Sequence, residues 1–198
     1  MRYDAEHKAR TRDKVLAAAA RALREAGPNK LAVAEVMAEA GLTHGGFYAH
    51  FPSKDALIDE TIGKMFTESR SKAMSELRGQ EPPEVLLSNW IDFYLSTEHR
   101  DARSWGCPLP FLAADASRLP EAARHRYAQG AARLVERMAA LLSDMGHPEP
   151  AATASSALAE MIGTLSWARA EPDPEVSTGI LINSRQAVRR RLGLEVDQ

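Results

Sequence analysis

A polar run in the first third of the chain carries the side chains best suited to contacting a hydrogen-bonding surface. Thr43, His44 and Tyr48 supply hydroxyl and imidazole groups that can donate to phosphate or base oxygens. Gly45 and Gly46 let the backbone approach a partner closely, at a cost of about 1 kcal/mol each relative to Ala in a helix. Small or polar residues at the start of a helix are what entry into the major groove of DNA requires. We therefore interpret this run as a candidate DNA-reading segment.

Two short helices joined by a tight turn would position these groups. The first is predicted over residues 33–40, because apolar side chains recur there at helical spacing: Val33, Val36, Met37 and Ala40. Gly41 is expected to end this helix, and Thr43 to cap a second helix over residues 43–50. Phe47 and Phe51 would bury its inner face. A helix, a glycine-containing turn and a second helix with a polar start describe a helix-turn-helix.

Enzymatic chemistry is poorly represented in the sequence. The run from His44 to Phe47 is similar to the oxyanion loop of some esterases, but the chain has no G-x-S-x-G nucleophile elbow. It also has no H-E-x-x-H, G-x-G-x-x-G or P-loop sequence, and its six histidines are scattered without metal-ligand pairing. We therefore expect no catalytic residue, no metal and no cofactor.

Composition and charge indicate a globular chain with one basic end. The 198 residues are 44% hydrophobic and 26% charged, and no apolar run approaches the roughly 20 residues that cross a bilayer. Through Lys54 there are nine Lys or Arg against six Asp or Glu, whereas the remainder has 16 against 21. A basic end on an acidic body suits a chain that presents one end to nucleic acid. The polar N-terminus and the single cysteine predict a cytoplasmic protein without membrane contact.

Helical periodicity and its interruptions predict an all-α chain of nine helices. No segment alternates with period two, so no sheet is expected. The predicted helices cover about residues 5–26, 33–40, 43–50, 53–77, 85–97, 108–116, 121–145, 151–169 and 175–192. The segment from Gly79 to Pro83 is a predicted break, and the segment from Glu98 to Ser104 is a predicted polar loop.

Four cations lie near the front of the first predicted helix: Lys8, Arg10, Arg12 and Lys14. They are placed to reach phosphates that flank a groove, a contact that positions a protein without reading sequence. The alternative is a solvated helix face. Arg12 is the preferred candidate for a phosphate contact.

The helix-turn-helix and its flanks resemble the DNA-binding module of the TetR family of transcriptional regulators. The matching residues, in the order and spacing of the family, are Val33, Glu35-Val36-Met37, Ala40-Gly41-Leu42-Thr43, Gly45-Gly46-Phe47-Tyr48, His50-Phe51, Ser53-Lys54 and Leu57. By this resemblance Tyr48, His50 and Lys54 take phosphate-contacting positions. Two residues depart from the pattern: Ala32 stands where a Ser or Thr often caps a helix, and Gly46 where a Thr or Ser often faces DNA.

The resemblance implies a three-helix DNA-binding head and a six-helix regulatory bundle. The head would span residues 8–68, with its motif at about 31–50, and a ligand-binding and dimerisation domain would span 69–198. The expected DNA-binding residues are Arg12, Thr43, His44, Gly45, Gly46, Tyr48, His50 and Lys54. The helix over residues 53–77 would connect the two domains, with Gly63 as its one weak point.

The same resemblance implies a homodimer that binds a pseudo-palindromic operator in double-stranded DNA as a repressor and releases it when a small-molecule effector binds. The helix over 151–169, which aligns Leu158 and Leu165, and the last helix would form the dimer interface. Large side chains would line an effector pocket, although core packing is the alternative for each: Met65, Phe66, Trp90, Phe93, Tyr94, Trp105, Phe111 and Trp167.

Cys107 allows two interpretations. Pro108 favours the first position of a helix, so Cys107 would be its N-cap, where the positive end of the helix dipole stabilises a thiolate. The Gly106-Cys107 pair resembles a subset of TetR-like regulators with Gly-Cys at this point, some of which sense electrophiles or oxidants. The alternative is a small buried hydrophobic residue. A competing function is therefore a ligand-binding or redox-sensing protein of TetR-like shape with weakened DNA binding, which Ala32 and Gly46 favour.

Overall fold

The computed structural model describes residues 2–76, 81–102 and 104–194, with side chains described for residues 6–69, 81–102 and 104–194. Within these ranges the chain is all-α, as the sequence predicts, and contains no strand. The α-helices are α1 (Arg2–Ala26), α2 (Val33–Glu39), α3 (Lys54–Glu76), α4 (Pro83–Tyr94), α5 (Thr97–Asp101), α6 (Pro108–Leu112), α7 (Glu121–Asp144), α8 (Pro150–Ala170) and α9 (Pro174–Arg191). Short 3₁₀ helices cover Pro28–Lys30, His44–Ala49 and Ala116–Arg118.

Local side-chain chemistry fixes the helix ends. Gly27 and Gly41 take positive φ values of 78° and 76° immediately beyond α1 and close to the end of α2, a conformation that glycine adopts without strain. Ser53 Oγ accepts from the backbone N–H of Ala56 at 3.1 Å and so caps α3. Asp173 caps α9 by accepting from two backbone N–H groups at 2.8 and 3.1 Å. None of the described helices is long and apolar enough to cross a membrane.

Three of the predicted elements are wrong in detail. The predicted α-helix over residues 43–50 is a 3₁₀ helix, His44–Ala49. The predicted loop from Glu98 to Ser104 begins with α5, because Ser96 Oγ accepts from the N–H of His99 at 3.1 Å and starts a new helix. The helix that begins at Pro108 ends at Leu112, before the predicted end at 116. The predicted end of α3 at Leu77 lies outside the described residues.

Residues group into two compact units. The first comprises Met1–Ser69 and Arg103–Gln129, and it contains the predicted DNA-binding head together with α6 and the start of α7. Its core includes six large side chains with no more than 2% exposure: Leu23, Met37, Phe47, Phe51, Leu57 and Ile62. The predicted functional boundary at residues 68 and 69 stays a prediction.

The second unit comprises Arg70–Ala102 and Gly130–Gln198. Helices α8 and α9 pack together in it, and Thr164 Oγ1 donates to Ser184 Oγ at 2.8 Å between them. Arg189 on α9 forms an ion pair with Asp92 on α4 at 2.8 Å. Leu165 of α8 and Val188 of α9 are fully buried, so these helices share an apolar core.

Candidate nucleic-acid interface

The 3₁₀ helix His44–Ala49, called the recognition helix below, is held by local hydrogen bonds and two aromatic anchors. Gly46 N–H donates to the carbonyl of Thr43 at 3.0 Å, the i to i+3 pattern of a 3₁₀ turn. Phe47 and Phe51 are buried and stack with ring centroids 5.8 Å apart. Adjacent glycines weaken an α-helix, which explains why this short segment adopts a tighter turn.

The outer side of this segment presents the predicted contact residues to solvent. We define the recognition face as Thr43, His44, Gly45 and Tyr48, all of which are exposed. Tyr48 is 72% exposed and touches Phe47 edge-on at 5.2 Å. Its ring therefore stands on the surface instead of packing into the core, which is unusual for a large aromatic side chain.

The cap predicted at Thr43 does not form. Thr43 occupies the N-cap position with φ −80° and ψ 150°, but its side chain makes no capping hydrogen bond. The backbone N–H groups at the start of the recognition helix are thus not satisfied by this hydroxyl. Ala32 also provides no side-chain cap to α2, as its methyl group dictates.

His50 and Lys54 lie at the far end of the motif and are both half-buried. His50 ends the recognition helix, and its backbone N–H donates to the Phe47 carbonyl at 2.9 Å. Its Nδ1 is buried and has no hydrogen-bond partner among the described residues. Lys54 is the first residue of α3. These two side chains adjoin the recognition face without forming part of its exposed surface.

The two glycines face different directions. A Cβ built on Gly45 would meet nothing within 4 Å, whereas one built on Gly46 would lie 3.7 Å from Met37 Cε and 3.9 Å from Thr43 Oγ1. Gly46 therefore faces α2, which differs from the outward position inferred from the family pattern. Neither glycine has a positive φ, so the backbone does not require glycine at either position.

Arg12 is turned toward the protein, which sequence reasoning did not foresee. Its guanidinium forms an ion pair with Glu60 of α3 and lies 4.6 Å from the centroid of the Phe51 ring. The other candidate cations on α1 are exposed: Lys8, Arg10 and Lys14. The exposed polar surface of this unit therefore includes Lys8, Arg10 and Lys14, whereas the Arg12 guanidinium is directed toward the protein.

Sequence reasoning also missed a buried arginine beside Cys107. Arg24 on α1 donates to the carbonyls of Ser104 and Gly106 at 3.1 and 3.3 Å. Burial lowers the pKa of Arg24, and the neighbouring Glu68 carboxylate opposes this shift. Nothing in the sequence around Arg24 distinguishes it from an exposed arginine, so its burial could not be predicted.

Cys107 itself is 3% exposed and occupies the predicted N-cap position of α6, without a side-chain capping bond. Tyr127 lies nearby and donates to the Leu109 carbonyl at 3.2 Å. Burial, with a smaller contribution from Cys107, raises the pKa of Tyr127 to about 12. The sulfur therefore lies in an enclosed environment close to the Arg24 guanidinium.

The predicted pocket residues fall into both units. In the first, Met65 is buried, Trp105 and Phe111 are half-buried, and Phe66 contacts Tyr127 edge-on at 6.5 Å.

In the second unit, Phe93 and Tyr94 surround the buried ring of His99, with centroids 5.4 and 4.9 Å away. His99 Nδ1 lies 2.9 Å from the Tyr94 carbonyl oxygen, and Trp90 is also buried. Trp167 is 63% exposed, so it lies on the surface of its unit. No group of three or more potential metal ligands occurs among the residues that the structure describes.

The N-terminal part of the chain is similar in sequence to known regulators. The family model described as "Bacterial regulatory proteins, tetR family" matches residues 15–61. An uncharacterized HTH-type transcriptional regulator of Bacillus subtilis (strain 168), YvdT, is 31% identical over 91 residues. That match covers 45% of this chain and 47% of YvdT, so the similarity spans about half the length of this relative.

Solved structures share the fold along most of the chain. The reduced form of E. coli NemR has a TM-score of 0.77 at 19% identity, covering 91% of this chain and 95% of that one. A TetR-family regulator from Agrobacterium tumefaciens has a TM-score of 0.78 at 20% identity, covering 92% and 98%. At these identities the likeness establishes the fold.

Motif, family match and fold agree with one another. The matched residues 15–61 include the whole helix-turn-helix, and the all-α fold is that of solved TetR-family regulators. The matched family model and relative are described as regulatory proteins, in line with the expectation of a regulator. Residues 15–61 therefore match the DNA-binding module of the TetR family, and the chain as a whole shares the fold of solved TetR-family regulators.

Proposed function

We propose that the chain is a cytoplasmic, ligand-responsive repressor that binds a pseudo-palindromic operator as a homodimer. The observation that carries this proposal is the recognition face, an exposed polar surface anchored from behind by buried Phe47 and Phe51. A short helical element with small or polar outer residues meets the requirement for entering the major groove.

We assign contacts with bases and contacts with phosphates to different residues of the recognition face and its surroundings. His44 is exposed at the start of the recognition helix, so we assign it a base edge or an adjoining phosphate. The Tyr48 hydroxyl and the Lys54 ammonium would bind phosphates, which position the protein but carry no sequence information. The exposed cations of α1 would add attraction that does not depend on sequence.

Helices α8 and α9 would form the dimer interface. An exposed row at i+4 spacing runs along α8 and consists of Ala151, Ser155, Ala159, Gly163 and Trp167. On α9, Val176 and Ile182 are 52% and 38% exposed. The first four residues of the row are small and allow close helix approach, and exposed apolar side chains on neighbouring helices suit a self-complementary two-fold interface.

Leu158 and Leu165 do not belong to this exposed row, contrary to the alignment used in the sequence interpretation. They are 3% and 0% exposed within one chain and therefore pack inside the second unit. A charge at either position would disrupt the fold itself. Trp167 is the better site for testing dimerisation.

An apolar or aromatic effector is the ligand class that the aromatic residues favour. Phe93 and Tyr94 enclose His99 in the second unit, and Arg169 donates to the His99 carbonyl at 2.8 Å. The combination of aromatic walls with a few polar groups is typical of small-molecule sites. An effector that prefers the released state by about 1–3 kcal/mol would weaken operator binding roughly 5- to 150-fold.

Cys107 favours a second candidate function, redox-dependent release. The buried Arg24 guanidinium lies close to Cys107 and donates to the adjoining Gly106 carbonyl at 3.3 Å, and a neighbouring cation is one of the features that activate a cysteine. One structural relative, E. coli NemR, was solved in its reduced form. Under this alternative, peroxide would release operator from the wild-type protein but not from Cys107→Ser.

A mobility-shift assay against the DNA upstream of the chain's own gene tests the proposal. A dimer should bind a site with two half-sites about one helical turn apart. An identified effector should then be titrated against the protein with and without operator. Because the coupling is reciprocal, operator should weaken effector binding by the same factor with which effector weakens operator binding. Equal effector affinity in both titrations would remove ligand-driven release and leave Cys107 oxidation as the candidate switch.

A further inference from the structure

Arg12 contacts two residues at the C-terminal end of the recognition helix and one residue of α3. Its Nη2 forms an ion pair with Oε2 of Glu60, and both side chains are about one-third exposed. Its Nε donates to the carbonyl oxygen of His50 at 3.4 Å. Its Cζ lies 4.6 Å from the centroid of the Phe51 ring, within the range of a cation–π contact. One side chain of α1 therefore joins the end of the recognition helix to α3.

These contacts act on an element that has little stability of its own. The recognition helix is a 3₁₀ helix that contains two glycines, and it ends with bonds from the N–H groups of His50 and Phe51 to the Phe47 carbonyl at 2.9 and 3.0 Å. Phe51 stacks on Phe47, which meets the ring of Tyr48 edge-on. A continuous series of contacts thus runs from Arg12 to the recognition face.

We infer that Arg12 is a positioning residue that orients the recognition face, and not the phosphate contact expected from its place on α1. The inference rests on the proposed DNA binding. A guanidinium that moved to a phosphate would leave the Glu60 carboxylate unneutralised beside a polyanion. It would also lose its contact with Phe51 and its hydrogen bond to His50. Arg12 acts on DNA only through the residues that it holds.

Operator affinity measured at several salt concentrations distinguishes a positioning role for Arg12 from a phosphate contact. The proteins to compare are wild type, Arg12→Gln, Glu60→Gln and the double variant. Each single variant should weaken binding roughly tenfold, the effect expected when a hydrogen bond to a charged group is lost. The double variant should lose no more than the larger single loss, because the two residues act as a pair. The salt slope should stay that of wild type, because no phosphate contact is removed.

Two exposed residues provide controls of matched charge. Arg124→Gln on α7 and Glu25→Gln at the end of α1 change the net charge by the same amounts, at residues assigned no contact with DNA. We expect both to bind operator as wild type does. Any change in their operator affinity measures the effect of the altered net charge alone.

Glu60→Gln should change operator affinity in opposite directions under the two roles. It should weaken binding if Arg12 positions the recognition face, and strengthen binding if Arg12 contacts a phosphate. Removing an acidic charge strengthens the attraction to DNA, and it would also release Arg12 if Glu60 merely kept Arg12 from a phosphate. Tighter binding by Glu60→Gln would therefore overturn the inference. A salt slope that falls by about 0.9 in Arg12→Gln would overturn it as well, and so would wild-type affinity in both single variants.

Hydrogen exchange in the DNA-free protein tests the positioning role without an operator. The His50 and Phe51 amides should exchange roughly tenfold faster in Arg12→Gln than in wild type, while the amide of buried Leu165 in the second unit is unchanged. Unchanged exchange at His50 and Phe51 would contradict the positioning role even if DNA binding fell. Faster exchange in a protein that binds no operator would contradict the proposed function and support the positioning of the recognition helix.

Discussion

The Arg126 guanidinium lies over Gly63 while it donates to both carboxylate oxygens of Asp59. The distances from Nε to Oδ1 and from Nη2 to Oδ2 are 2.6 and 2.7 Å. A Cβ built on Gly63 would lie 3.1 Å from Arg126 Cδ and 3.2 Å from Nη1. Asp59 and Gly63 are one helical turn apart on α3, so the ion pair and the glycine form one site. Gly63 is therefore a point of close packing and not the weak point that helix propensity indicated.

Gly63→Ala should lower the free energy of unfolding, although Ala ordinarily stabilises a helix by about 1 kcal/mol relative to Gly. The reason is that Arg126 must shift by a few tenths of an ångström while Asp59 holds its guanidinium. In an Arg126→Ala background the same substitution should be stabilising. Urea denaturation of the wild type, the two single variants and the double variant measures the difference. A Gly63→Ala protein more stable than wild type would show that Arg126 moves aside freely.

Gly45→Ala and Gly46→Ala should distinguish the two sides of the recognition helix. A methyl group at Gly45 would point into open space on the recognition face, whereas one at Gly46 would rest against Met37. We expect Gly45→Ala to weaken operator binding about tenfold or more, equivalent to about 1.4 kcal/mol, with no loss of thermal stability. Gly46→Ala is the matched control and should bind as wild type does. Equal losses in the two variants would contradict the assignment of Gly45, and not Gly46, to the surface that approaches DNA.

Tyr48→Phe and Lys54→Ala should weaken binding to all DNA sequences by similar factors. Both residues are assigned to phosphates, so each substitution should lower the magnitude of the salt slope by about 0.9. Fluorescence anisotropy at several salt concentrations, with operator and with random duplex, provides the slopes. Tyr48 is exposed on the surface, so Tyr48→Phe should leave stability unchanged. A wild-type slope in either variant would remove that residue from the phosphate contacts.

Trp167→Glu should separate the dimer without unfolding the chain. Trp167 is 63% exposed within one chain, so a charge there costs little in the monomer but is unfavourable in an apolar interface. Sedimentation analysis should show a monomer with helical content equal to that of wild type. Leu165→Glu serves as a contrast, because burial of Leu165 predicts loss of the fold. A dimeric Trp167→Glu protein would exclude this face of α8 from the interface.

Patterns that depend on burial and local caps were readable from the sequence. Phe47 and Phe51 were predicted to lie inward, and both are buried. Ser53 lies at the start of the helix predicted over residues 53–77, and its hydroxyl caps α3. These features follow from helical spacing and from short-range hydrogen bonding, so no knowledge of distant residues is needed.

Features that depend on distant partners were not readable in this way. Arg12 is separated from Glu60 by 48 positions, and its charge alone suggested an external phosphate. Gly63 is constrained by Arg126, which belongs to another helix and gives no signal near position 63. The start of α5 was different, because the Ser96 cap was present in the sequence but lay within a run of polar residues that resembled a loop.

The affinity ratio between the upstream operator and a scrambled duplex of equal length, measured at one physiological salt concentration, tests the assignment of the recognition face most directly. Specific regulators bind their sites typically 10³-fold or more tightly than random DNA. We expect a ratio of at least that order for wild type, and a smaller ratio for His44→Ala because one base contact is lost. Equal affinity of the wild-type protein for the two duplexes would contradict sequence-specific recognition by this face.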